Sequence, residues 1–96
     1  MVATTPLTLE QRQVLWACYA YWLTEPLPAE ERTVCYKWVA GTFAERFGKS
    51  FHQSVLTRLA KSGYLVRANT RRQTGWYYRL ANHHLIRQAT AGLDQA

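Results

Sequence analysis

Near the middle of the chain, seven side chains able to form polar contacts stand close together: Lys49, Ser50, Gln53, Ser54, Thr57, Arg58 and Lys61. A helix advancing about 100° per residue turns Val55, Leu56 and Leu59 toward a core. The same helix puts Gln53, Ser54, Thr57 and Lys61 on the opposite side, Arg58 at the border, and Lys49 and Ser50 at the leading tip. Amides, hydroxyls and guanidinium groups on one helix face are the set that reads nucleobase edges, with arginine bidentate to guanine and glutamine to adenine. A second cluster follows in the polar stretch 68–75, where Asn69, Arg71, Arg72 and Gln73 lie between two β-prone runs, with Arg67 just before it. On an exposed hairpin these groups can follow a phosphate backbone or enter a minor groove. Plainer readings stand beside each of these. Gln53 can simply close a helix cap, Lys61 can be a solvated lysine, and the hairpin can serve solubility.

Charge placement favours the phosphate reading. The formal net charge is +6. Residues 1–45 carry five acids and three bases, whereas residues 46–93 carry nine bases and no acid. The nine are Arg46, Lys49, Arg58, Lys61, Arg67, Arg71, Arg72, Arg79 and Arg87. A solvated face usually mixes both signs. A carboxylate-free half instead projects a positive field that attracts phosphate or an acidic lipid surface.

Other chemistries lack their residues. Hydrolysis or phosphoryl transfer needs carboxylates or a poised nucleophile, and the basic half has no carboxylate before Asp94. No glycine-rich phosphate loop is present. His52, His83 and His84, with Cys18 and Cys35, show no metal-ligand spacing. His52 is expected as a packed residue near the contact of the second and third helices, and the cysteines as buried thiols in a reducing compartment. The expectation is a protein without enzymatic activity, cofactor or metal. The longest apolar run, Val14 to Leu23, is ten residues, short of the roughly 18–20 of a membrane span. The first residues lack the charged region of a signal peptide. A cytoplasmic, nucleoid-associated location is therefore expected.

These groups need a scaffold, and 96 residues suffice for one domain with one modest core. The pattern predicts a mainly α fold with a small antiparallel sheet: a three-helix core over about residues 8–80, a β-hairpin, and a C-terminal helix over about 82–93. Thr8 with Gln11 forms a capping box for a first helix reaching about Leu23, and Pro26 and Pro28 impose an extended loop after it. Thr33-Val34-Cys35 is β-prone. A second helix follows from about Tyr36 to Phe47, with Trp38, Val39, Phe43 and Phe47 as its apolar side and Gly48 at its end. Ser50 and Gln53 predict a second capping box, opening a third helix that Gly63 stops. Residues 64–67 and 76–80 read as paired strands, with Trp76, Tyr78 and Leu80 alternating toward the helices. Asn82 caps the last helix, whose stripe is Leu85, Ile86, Ala89 and Leu93.

The first helix is apolar on every side, which predicts burial on more than one side. In so small a domain, a second copy packed through the first and last helices would supply the missing cover.

Two segments carry a family resemblance. They are Phe43-Ala44-Glu45-Arg46-Phe47-Gly48-Lys49-Ser50 and Val55-Leu56-Thr57-Arg58-Leu59-Ala60-Lys61-Ser62-Gly63-Tyr64-Leu65. Together with the basic hairpin and the aromatic strand after it, they resemble the winged helix-turn-helix superfamily over about Val34 to Leu80. The resemblance implies a winged helix that binds double-stranded DNA with its third helix in the major groove and its wing on the backbone or minor groove, acting in transcription. Relatives that bind left-handed duplexes carry an Asn and a Tyr on the third helix and a Trp at the wing. Gln53, Thr57 and Trp76 stand here, so only the Trp is shared. Two rivals remain: a plasmid or phage function in replication, partition or excision on the same fold, and a winged helix used for protein–protein assembly.

Overall fold

A computed structural model describes residues 7–68 and 76–93. Four helices and three short strands follow in the order α1 (Leu9–Thr24), a 3₁₀ turn (Ala29–Glu31), β1 (Val34–Cys35), α2 (Tyr36–Phe47), α3 (Ser54–Lys61), β2 (Leu65–Arg67), β3 (Tyr77–Leu80) and α4 (His83–Ala89). The class is thus mainly α with a small antiparallel sheet. Asn69, Arg71, Arg72 and Gln73 lie outside the described residues.

Local signals account for most boundaries. Thr8 and Gln11 exchange both bonds of a capping box at α1, Gln11 N–H donating to Thr8 Oγ1 at 3.1 Å and Thr8 N–H to Gln11 Oε1 at 2.9 Å. Asn82 Oδ1 accepts from Leu85 N–H at the start of α4. Gly48 takes a left-handed φ of 69° where α2 ends. At Gly63, φ is 90°. There Tyr64 N–H reaches back to Leu59 O and Gly63 N–H to Ala60 O, the paired bonds of a Schellman stop.

The sheet holds one more strand than a hairpin. β1 pairs antiparallel with β3 through Val34 opposite Tyr78 and Cys35 opposite Tyr77, while β2 pairs on the other side of β3, giving the order β1-β3-β2. The β-prone piece before α2 therefore ties the second helix to the sheet.

One core joins all these elements. Val14, Leu15, Ala17 and Cys18 of α1 are completely buried, with Val34, Val39, Phe43, Leu59 and Ile86. Cys18 and Cys35 are free, buried thiols, and burial pushes the Cys18 thiol far up, away from the reactive thiolate. Burying a side chain of leucine or phenylalanine size contributes about 1.5–3 kcal/mol, so this cluster is what holds so short a chain together.

The cover for α1 comes from within the chain. Trp16 meets Phe47 edge-on at 5.6 Å, Trp22 meets His83 of α4 edge-on at 4.5 Å, and Tyr21 stacks on Trp38 at 5.4 Å. From α4, Ile86 enters the core and Ala89 packs against it, although Leu85 stays exposed. Helices α2 and α4 thus cover part of α1, while Leu9 and Leu23 stay exposed on it.

Three expectations about side chains need correction. Ser50 does not open α3, which begins at Ser54; no bond from Ser50 or Gln53 caps it. Phe51 is the cause, because its ring is drawn into the core against Phe43 at 4.9 Å and Tyr36 at 5.3 Å, and Tyr36 Oη donates to its carbonyl. That burial holds residues 50–52 out of the helix. His52 is exposed rather than packed, and its Nδ1 accepts from Ser54 N–H at 3.1 Å. Trp76 lies one residue before the paired part of β3 and is 54% exposed. Past the end of the paired ladder, alternation no longer carries a side chain beneath the helices.

Candidate nucleic-acid interface

Helix α3 is strongly two-faced. Val55, Leu56 and Leu59 are buried, and Ser54, Thr57, Arg58 and Lys61 are exposed, with Gln53 exposed at the helix start. Lys49 and Ser50 are exposed in the segment that joins α2 to α3. The side chains of Gln53, Thr57, Arg58 and Lys61 have no hydrogen-bond partner among the described residues. The capping alternative for Gln53 therefore fails: its amide keeps both donor and acceptor capacity for an external group. Ser54 Oγ is partly engaged, 2.9 Å from His52 Nδ1.

Beside α3 runs a groove of about 750 Å³ between the first turn of α2, the start of α3 and the leading end of β3. Buried Leu56 and Tyr78 contribute to its lining, as do Trp38, Trp76 and Tyr77, with Lys37, His52, Gln53, Ser54 and Thr57 as polar groups. Among the described residues, no carboxylate lines it. Helix α2 enters without a side-chain cap, leaving the N–H groups of its first turn beside Lys37 at the groove, a favourable place for phosphate.

Arg67, on β2, is exposed and holds its guanidinium carbon 3.2 Å from the centre of the Trp76 ring. The pair is a cation–π contact at the root of the hairpin. Lys49, Ser50, Gln53, Ser54, Thr57, Arg58, Lys61 and Arg67 thus all belong to exposed backbone segments, and Gln53, Ser54 and Thr57 share the groove wall.

Sequence reasoning missed Lys37, Trp38 and Trp76 as surface groups. Trp38 was assigned to the apolar side of α2, yet it is 37% exposed, lying between Tyr21 and Tyr77 at the rim of the core. The only available signal was the lysine beside it, which marks where the helix leaves the core.

Among the described residues, no three histidine, cysteine or acidic side chains gather as metal ligands, and no helix is long and apolar enough to cross a membrane. No family model, curated protein or solved structure matches the chain.

Proposed function

We propose that the chain is a winged helix-turn-helix domain that binds double-stranded DNA and acts by occupying its site, in transcriptional regulation. The observation that carries this reading is the outward face of α3. Gln53, Thr57, Arg58 and Lys61 are exposed there without partners among the described residues, in a half of the chain free of acids through Leu93. Polar groups on an exposed helix face match base edges on the floor of the major groove. Lys49, Lys37 and the first turn of α2 flank that helix and suit phosphate contacts. The antiparallel pairing of β2 with β3 after α3 is compatible with the hairpin that the resemblance implies. Arg67 begins the hairpin arm, and Asn69, Arg71, Arg72 and Gln73 extend it in sequence.

Selection of bound sequences from a random DNA pool, followed by titration of the enriched site against a scrambled duplex, tests the reading. Enrichment of a defined motif, with tighter binding to it than to the scramble, is expected. A chain that enriches no motif and binds no duplex at low salt overturns it and favours protein–protein assembly.

A further inference from the structure

Both exposed tryptophans of the chain, Trp38 and Trp76, line the same groove. The remaining two, Trp16 and Trp22, are covered by ring contacts within the core. Trp38 is 37% and Trp76 54% exposed, and both meet the polar side of α3 at this groove. We infer that this groove receives one unpaired nucleobase from the DNA that α3 engages, an inference that rests on the DNA-binding reading above.

The chemistry of the walls selects the ligand. A planar base stacks on aromatic side chains, and such stacking tolerates any base because every base has a π-face. Arg67 covers one face of the Trp76 indole and steadies the ring as a wall. The Gln53 amide and Thr57 hydroxyl, both on the lining and both without partners among the described residues, supply donors and acceptors to the edge of this base in place of a paired one, leaving Arg58 and Lys61 to the duplex. Lys37 supplies a cation for the attached phosphate, and no carboxylate among the described lining residues opposes it. The groove is open to solvent and, at about 750 Å³, leaves room for one base between these walls. A base inside a duplex is stacked and cannot enter; one that is bulged, flipped or single-stranded can. The source is the bound DNA because Gln53, Ser54 and Thr57 belong at once to the groove wall and to the outward side of α3. A strand held on α3 delivers its base next door.

The test uses the full chain and two otherwise identical duplexes at low salt, one fully paired and one carrying a single unpaired 2-aminopurine. Binding is read by anisotropy of an end label and stacking by 2-aminopurine emission, with circular dichroism melts run on every variant. The bulged duplex should bind about tenfold tighter, with its emission quenched on binding. Trp76→Phe should keep most of the preference, and Trp76→Leu should lose both preference and quenching while still binding paired DNA.

Equal affinity without quenching overturns the groove assignment and leaves duplex binding standing. Failure to bind either duplex overturns both. A preference that survives in Trp76→Leu assigns it to the flexibility of bulged DNA and overturns the inference. Should Trp76→Leu fail to fold, unquenched emission with the wild-type chain still overturns it. Free deoxyadenosine monophosphate displacing DNA at micromolar concentration would make the site one for a free nucleotide and overturn the DNA-borne source.

Discussion

Arg12 and Arg58 are both helical arginines, but the chain uses them in opposite ways. Arg12 Nε donates to Ala89 O at 2.8 Å and its Nη2 to Ala91 O at 3.3 Å, tying α1 to the end of α4. Arg32 and Arg46 behave similarly: Arg32 donates to Leu27 O and Trp22 O, and Arg46 to Leu93 O. Each also lies over the ring of a neighbouring tryptophan, at 4.5 and 5.7 Å. By contrast, Arg58, Lys49 and Lys61 are exposed and have no partner among the described residues. A positive count alone does not distinguish these groups. Cations that satisfy carbonyl ends hold the fold, and cations without internal acceptors are the ones available to phosphate.

Salt should separate the two sets most strongly. If Lys49, Arg67, Arg71 and Arg72 each neutralise one phosphate, the slope of log affinity against log salt is about −0.9 per contact. A rise from about 50 to about 200 mM salt then weakens binding about a hundredfold. The melting temperature should move little over the same range. A flat affinity response breaks the comparison at its outer half. Arg71→Ala with Arg72→Ala should weaken cognate and scrambled duplexes alike and remove about two contacts from the slope.

Single substitutions sharpen the contrast. Arg12→Ala deletes hydrogen bonds from a charged donor to two carbonyls, so unfolding should become easier by about 1–3 kcal/mol, read as a lowered midpoint in urea. DNA affinity of the folded variant should be unchanged. Arg58→Ala should do the reverse: stability within about 0.5 kcal/mol, and about 1–3 kcal/mol lost on the cognate site with little change on random DNA. An Arg58→Ala protein that melts early while keeping its discrimination would assign Arg58 to the fold.

The same contrast explains what was legible in the sequence. Thr8, Gln11, Asn82, Gly48 and Gly63 act through bonds or backbone angles only a few residues away, so their roles could be read directly. The inward set Val55, Leu56 and Leu59 follows from periodicity alone. Trp76 and His52 could not be read this way. The place of Trp76 depends on where the strand pairing stops, and that of His52 on how a nearby side chain, Phe51, packs. Which side of α1 the chain itself covers could not be read for a related reason: an all-apolar helix looks uncovered until Phe47, Trp38 and Ile86 arrive from other elements. On the candidate interface, exposure of α3 was legible, but the groove was not, because β1, α2 and β3 must meet before it exists.

Helix caps give the smallest and most local test. At α1 the side chain of Thr8 caps the helix; at α3 the corresponding Ser50 does not, and the ring of His52 takes the N–H of Ser54 instead. Losing a true cap costs about 0.5–2 kcal/mol. Thr8→Ala and His52→Ala should each fall in that range, whereas Ser50→Ala should stay within about 0.5 kcal/mol. Equilibrium urea unfolding of the three variants, fitted with a common slope, resolves the difference. If Ser50→Ala matched Thr8→Ala, the helix would begin at Ser50 in solution. Phe51 would then sit in its first turn, and the packing of its ring against Phe43 would have to give way. If His52→Ala were silent while Ser50→Ala stayed silent too, the start of α3 would be held by the burial of Phe51 alone. Phe51→Ala would then loosen α3, and through it the position of Gln53 and Thr57, more than any cap substitution could.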